Sequence, residues 1–391
     1  MIKTFFENPK KPVDRWMLII TGLLVLVGML IFLSAALSVL PKNSALFQRM
    51  VISQLVFALI GGGAGLFLVS RIPFSTWQKY ALSLAIVGVV ATWLVFVPGL
   101  GFEHGGARRW LDLGPISVQP AELMKYTTLL YWAAFLAWAG KRIKEWNFGF
   151  LAIGIFTVVV GVVLLLQPDT GTFLVILAGL VGVYFLAGAP WKHLAVMAAL
   201  ALVAFGALIA VRPYLLDRIR TFADPSRDPT GSSYQIRQSM ITVGSGELVG
   251  RGYGRSAQKF QYLPEPVGDS VFAVLSEELG FVGAVLLIIL YGLFFWRGMY
   301  ISRRAPNQFS RLLVAGIVIL MVVQSAMNIA SILGLMPLTG LPLVFVSHGG
   351  TALLVSLLAC GVILQVSRYI KRTPAQATVI HTISSRKKKK S

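Results

Sequence analysis

The sequence predicts an all-α integral membrane protein of ten transmembrane helices, with one large extracytoplasmic loop between helices 7 and 8. Three observations carry this expectation. Of 391 residues, 56% are hydrophobic and 13% charged, and the mean hydropathy is +0.77, against about 25% charged residues in a soluble domain. Ten apolar stretches follow one another, each roughly 20 residues and so able to cross a hydrocarbon core of about 30 Å as a helix. Basic residues gather in alternate short connections, the pattern of the positive-inside rule.

The stretches fall near 16–37, 50–70, 78–98, 120–140, 148–166, 170–189, 191–211, 271–296, 310–335 and 342–366. The first follows Lys3, Lys10, Lys11 and Arg15 and has the flanks of a signal peptide, with Ser34-Ala35-Ala36 as a cleavage site. Its length and the nine stretches after it favour a span. In the second, Gly61, Gly62, Gly63 and Gly65 let neighbouring helices approach closely. Gln167-Pro168-Asp169 divides a long apolar run into the fifth and sixth spans, and Pro337 and Pro342 bracket a tight turn before the last. The single cysteine, Cys360, sits in that last span and cannot form an internal disulfide. Four scattered histidines argue against a zinc site.

The connections holding Arg71 and Lys79, then Lys141, Arg142 and Lys144, then Arg297, Arg303 and Arg304, and the tail Arg386 to Lys390, belong in the cytoplasm. Ten spans then place both termini there. The chain is one polytopic domain over 1–391, with residues 1–15 and the basic tail 368–391 inside and the loop 213–270 outside. The connections near 99–119 and 213–270 are outer ones despite Arg108, Arg109, Arg218, Arg220, Arg227, Arg237, Arg251, Arg255 and Lys259. Long loops translocate largely regardless of charge, but the first connection is short, so its arginine pair needs another reason. The formal charge of +20 is explained by contact with anionic headgroups. No nucleic-acid module is present.

Chemistry concentrates where the polar interval from Arg212 to Phe272 ends. Asp269 stands there as hydrophobicity resumes, a carboxylate at a membrane surface beside the one loop large enough to hold a polar substrate. Its other reading is a helix N-cap. Ionisable residues inside spans are functional candidates by default. Glu122 and Lys125, three residues apart, share a helical face, either as a buried neutralised pair or as the wall of a polar cavity. Glu277 and Glu278 point about 100° apart, so at most one shares the face of Asp269 and one packs against cationic or backbone groups. Asp169 reads as the cap of the helix after Pro168. The series Gly244 to Gly254 resembles a phosphate cradle but lacks the strand-then-helix setting. It reads instead as a turn supporting Arg251, Arg255 and Lys259, cations suited to a lipid-linked diphosphate. Trp110 is either an interfacial anchor or a lid over a sugar or diphosphate.

Read together, these motifs resemble the SEDS family (shape, elongation, division and sporulation). The match runs through Gly106-Ala107-Arg108-Arg109-Trp110-Leu111, Gln119-Pro120-Ala121-Glu122-Leu123-Met124-Lys125 and Gln167-Pro168-Asp169-Thr170-Gly171-Thr172. It continues through Tyr234-Gln235, Leu263-Pro264-Glu265, Asp269 and Glu277-Glu278-Leu279-Gly280. It ends in Gly334-Leu335-Met336-Pro337-Leu338-Thr339-Gly340-Leu341-Pro342 and Ser347-His348-Gly349-Gly350. Val97-Pro98-Gly99-Leu100-Gly101 is more similar to the division branch (FtsW) than to the elongation branch (RodA). Ala121, Thr170, Ser270 and His348 depart from the usual Ser, Leu, Phe and Tyr, and the last two alter the neighbourhood of the key Asp.

The resemblance implies a peptidoglycan glycosyltransferase that polymerises lipid II at the outer face of a bacterial cytoplasmic membrane, for septal wall synthesis in cell division. It implies Asp269 as the catalytic base. Substrate contacts would come from Arg109, Trp110, Glu122, Lys125, Arg218, Arg255, Lys259 and Ser347. Gln119, Pro120, Asp169, Glu278, Pro337, Thr339, Gly340, Pro342, Gly349 and Gly350 would be structural. No cofactor is fixed, and there is room for a divalent cation. The implied partners are lipid II and lipid-linked glycan, a class B penicillin-binding transpeptidase and other division proteins. Two other functions fit parts of the pattern: a lipid II flippase, which needs alternating access that no internal repeat supports, and a non-enzymatic scaffold, which leaves Asp269 and its cations unexplained.

Overall fold

The computed structural model describes residues 12–104, 107–112, 117–211, 213–224 and 232–370. Lys3, Lys10, Lys11, Gly106, Arg212, Arg227 and the run Arg386 to Lys390 lie outside them. In chain order the helices are α1 (Arg15–Ala36), α2 (Ser44–Val69), α3 (Phe74–Lys79), α4 (Ala81–Phe96), α5 (Pro120–Ala139), α6 (Trp146–Leu166), α7 (Thr170–Leu186) and α8 (Trp191–Val211). Then come α9 (Pro213–Ala223), α10 (Ser232–Gly244), α11 (Gln258–Gln261), α12 (Val271–Arg303), α13 (Gln308–Ile332) and α14 (Gly350–Ser367).

Each of the ten apolar stretches contains a helix, the last of them only from Gly350 onward. Seven of the described helices, α1, α2, α6, α8, α12, α13 and α14, are long and apolar enough to cross a membrane. The helices α4 and α7 are shorter apolar ones, and α5 carries Glu122 and Lys125 in its first two turns. The bundle is centred on α13, which packs against α5, α7, α12 and α14 and has 72% of its most apolar window buried. The same measure is 6% for α8, so that helix stands at the periphery.

Four features differ from the sequence expectation. The connection 99–119 is not simply a loop but carries a three-stranded antiparallel sheet, β1 (Gly101–His104), β2 (Ala107–Asp112) and β3 (Ser117–Val118). The register pairs Gly101 with Leu111 and Phe102 with Trp110, with a bulge between Phe102 and Glu103. The all-α expectation is corrected to that extent: a connection lying on a bundle must satisfy its own peptide groups, and a ladder does so.

The polar interval 213–270 is likewise partly helical, as α9, α10 and α11. The last helix begins at Gly350 rather than near 342, because Pro342 offers no N–H and the Leu343 N–H is taken by the Ser347 hydroxyl at 2.8 Å.

The fourth difference is inside α12. Gly280 has φ +67° and ψ −167°, a region only glycine occupies readily, and it breaks the helix two residues after Glu278. The glycine-rich run is docked on this break. The Arg251 and Gly252 N–H groups donate to the Glu277 and Glu278 carbonyls at 2.9 and 3.0 Å, and the Phe281 and Val282 N–H groups donate to Glu247 and Leu248 at 2.9 and 3.1 Å. A Cβ on Gly280 would lie 2.3 Å from the Gly250 nitrogen. Bare backbone is thus required on both sides of the contact, which explains the glycine series without any phosphate.

Candidate functional site

Asp269 sits in a tight turn in which the Glu265 carbonyl accepts from the Gly268 and Ser270 N–H groups, both at 3.1 Å. It is not the cap of α12. Ser270 holds that position and makes no side-chain cap hydrogen bond; its hydroxyl lies 3.3 Å from the Gln235 amide nitrogen. Among the described residues, none donates a hydrogen bond to the Asp269 carboxylate.

The connection between α13 and α14 closes on this turn. The Asn328 amide, on α13, donates to the carbonyls of Asp269 (2.8 Å) and Leu341 (2.7 Å), clamping the turn to that connection. The Ser347 hydroxyl donates to the Gly268 carbonyl at 2.8 Å, and the His348 N–H to the Val267 carbonyl at 2.8 Å. Gly340, at φ +67°, passes so close that a Cβ there would be 3.6 Å from Asp269 Oδ2.

The cations are held around the same place. Arg218, on α9, donates to the Leu338 carbonyl at 2.9 Å. Arg109, on β2, reaches the carbonyls of Gln167 (3.4 Å) and Pro168. Burial pushes the Asp269 carboxyl up to about 6; the Glu265 charge adds to the rise, the Arg109 and Arg218 guanidiniums oppose it, and Asp169 adds a further push upward. A carboxylate poised in this way, with cations near it and no hydrogen-bond donor among the described residues, is suited to taking a proton near neutral pH.

Asp169 caps α7, accepting from the Thr172 N–H at 3.2 Å. Pro120 opens α5, where its missing N–H costs nothing. Four residues expected to contact substrate have other occupations. Lys125 and Glu122 are both buried and pair at 2.9 Å, and Lys125 also donates to Gln324 at 2.5 Å. Gln324 in turn donates to the Pro342 carbonyl at 2.9 Å. This is the buried-pair arrangement, and it steadies the 338–343 loop that faces Asp269 rather than offering a free cation.

Lys259 is buried against Glu278 at 2.7 Å, with the Ser34 hydroxyl and Gly254 carbonyl as further partners. The Ser347 hydroxyl is spent on the Leu343 N–H and the Gly268 carbonyl. Glu277 and Glu278 are both packed: Glu277 accepts from Ser256, from the Ala257 N–H at 3.3 Å and pairs with Arg251 at 3.8 Å. Arg255 is exposed, and no contact among the described residues joins it to Asp269. Trp110 is half-buried across from Phe102. His348 stacks on Phe32 at 5.5 Å.

Sequence reasoning attended to ionisable groups and so passed over Gln324 and Asn328. Their signal was available: two amides four residues apart, hence on one face, following the apolar run from Leu312 to Val323. No group of three or more His, Cys, Asp or Glu side chains that could hold a metal ion gathers among the described residues.

A family model described as cell cycle protein, covering FtsW, RodA and SpoVE, matches residues 14–372. Stage V sporulation protein E of Bacillus subtilis is 37% identical over 91% of this chain and 97% of its own length. A probable peptidoglycan glycosyltransferase FtsW of Thiomicrospira cyclica is 36% identical over 90% of this chain and 91% of its own. Among solved structures, a chain from a peptidoglycan synthase complex that coordinates polymerization and crosslinking superposes with a TM-score of 0.76 at 31% identity, covering 91% of this chain and 98% of that one. The rod shape determining protein RodA of Thermus thermophilus gives 0.67 at 29%, covering 94% and 100%.

Proposed function

The chain belongs to the FtsW/RodA/SpoVE family of cell cycle proteins, and from that membership and the setting of Asp269 we propose that it is a membrane-embedded peptidoglycan glycosyltransferase that polymerises lipid II. The observation that carries this reading is a carboxylate that accepts no hydrogen bond from the described residues, held on a clamped turn within the electrostatic reach of Arg109 and Arg218.

The chemistry follows from those groups. A sugar hydroxyl loses its proton to Asp269 as it attacks the anomeric carbon of a lipid-linked donor. Negative charge grows on the departing polyprenyl diphosphate, where Arg109 and Arg218 stabilise it. Attack opposite the leaving group inverts an α-linked donor to a β-linked product in one displacement.

The glycosyltransferase is bacterial. In this reading it spans the membrane ten times, with both termini in the cytoplasm and Asp269 outside, and it serves septal wall synthesis with a class B penicillin-binding transpeptidase as partner. The similarity to FtsW proteins supports the division role, and the synthase-complex likeness supports the transpeptidase. An impermeant thiol reagent should label Gln261→Cys in a Cys360→Ser background in intact cells; labelling only after permeabilisation would reverse the orientation. Purified protein given fluorescent lipid II, with and without a cognate transpeptidase, should form glycan polymer. Leaflet exchange without polymer would make it a flippase, and neither activity a scaffold.

A further inference from the structure

The glycine-rich segment docked on α12 carries two bare apolar side chains at its tip: Leu248 is 68% exposed and Val249 79%. Their height follows from the two helices the segment leans on. Asp14, at the start of α1, pairs with Arg297 of α12 at 2.6 Å, and this ion pair marks one membrane surface, since charges are costly in hydrocarbon. Leu30 lies sixteen residues beyond Asp14, and Phe281 sixteen before Arg297, about 24 Å of helix in each case. The hydrocarbon core is about 30 Å thick. Both residues therefore fall short of the opposite surface, and any tilt lowers them further.

The segment is bonded to the chain at these depths. The Tyr253 hydroxyl donates to the Leu30 carbonyl at 2.8 Å, and the Phe281 and Val282 N–H groups donate to Glu247 and Leu248. Non-helical backbone at such a depth needs its polar groups taken up by protein, and the break at Gly280 provides for this. A continuous helix would join the Phe281 and Val282 N–H groups to the Glu277 and Glu278 carbonyls. The break releases all four, and Glu247, Leu248, Arg251 and Gly252 take them. From 245 to 252, the N–H groups of Leu248 and Val249 alone have no carbonyl partner among the described residues. Below the tip, Val282, Leu286, Ile289, Leu293 and Trp296 are exposed at helical spacing, so one apolar face of α12 continues into Leu248.

We propose that residues 248–253 form a re-entrant lipid anchor. The side chains of Leu248 and Val249 lie among the acyl chains of the nearer leaflet, and their N–H groups meet the ester oxygens at its boundary. Arg255, exposed and two residues after Tyr253, is where anionic headgroups are attracted. The polar interval is then not wholly outside the membrane. This goes beyond the glycosyltransferase reading and does not depend on it.

The test uses the full chain, one copy per nanodisc of phosphatidylcholine and phosphatidylglycerol. A nitroxide on Val249→Cys in a Cys360→Ser background should be relaxed by oxygen, which partitions into lipid, and should lose relaxation by a water-soluble nickel chelate. The same label on Gln261→Cys should respond in the opposite way. The unsubstituted protein gives a second reading, because Tyr253 and Tyr262 are matched at 52% and 51% exposed. Hydroxyl-radical oxidation in nanodiscs should spare Tyr253 and modify Tyr262. Nickel access at 249, or equal oxidation of the two tyrosines, would put the segment in water as a surface for a soluble partner and overturn the proposal. Protection of 249 from both relaxants would mean cover by protein and overturn it equally.

Discussion

Asp269→Asn should lower lipid II polymerisation by roughly 10²- to 10⁴-fold, the contribution typical of a general base, while folding, membrane insertion and transpeptidase binding persist. Asn keeps the size of the side chain and removes its basicity. Had Asp269 been a helix cap, Asn would serve almost as well, since the two rank together there; the structure removes that alternative by placing Ser270 at the cap position. The turn itself is held through its backbone, by the Glu265 carbonyl, the Asn328 side-chain amide and the His348 N–H, and none of these contacts involves the carboxylate. A purified variant that polymerises within a few-fold of wild type would exclude the proposed mechanism.

The second large effect is on stability. Lys259 and Glu278 form a fully buried ion pair at 2.7 Å, and Lys259→Met leaves the Glu278 carboxylate without its counter-charge. Breaking such a pair from one side costs about 3–5 kcal/mol. Ser34 and the Ser256 N–H, at 2.6 and 3.4 Å, are neutral donors and offset only part of this. The thermal midpoint of the purified protein should fall clearly, and Lys259→Met with Glu278→Leu should recover most of the loss, because replacing both charges by apolar groups is often neutral. The pair joins the loop that follows the glycine-rich run to α12 and α1, so the single variant should also loosen the loop ahead of Asp269. A single variant as stable as wild type would show that the pair does not hold this junction.

What the sequence made legible was what local pattern determines. Hydropathy located ten helical stretches, the break at Pro168 with its cap Asp169 was readable from residue type, and the return of hydrophobicity after the polar interval singled out Asp269. What it hid depends on contacts distant in sequence. Gly280 reads as one more small residue in a helix until the 246–252 segment is seen lying on it. Lys259 reads as an available cation because its partner Glu278 lies 19 residues away and neutralises it only in three dimensions, whereas the Glu122–Lys125 pair is one of the two readings that their spacing offers. The sheet at 101–118 escaped notice because its strands are too short for alternation to declare itself. The clamp of Gln324 and Asn328 was visible in the sequence but was outweighed by attention to charge.

The central claim, that Asp269 acts as the base, is tested most directly by the rate of lipid II polymerisation as a function of pH in the purified protein and in Asp269→Asn. The carboxyl must be ionised to take a proton, and burial raises it to about 6. The wild-type rate should therefore climb with pH through about 6 and then level off, whereas the Asn variant should keep only a small residual rate without that rise. A wild-type rate that is flat through this range, or an identical acid limb in the Asn variant, would contradict the account.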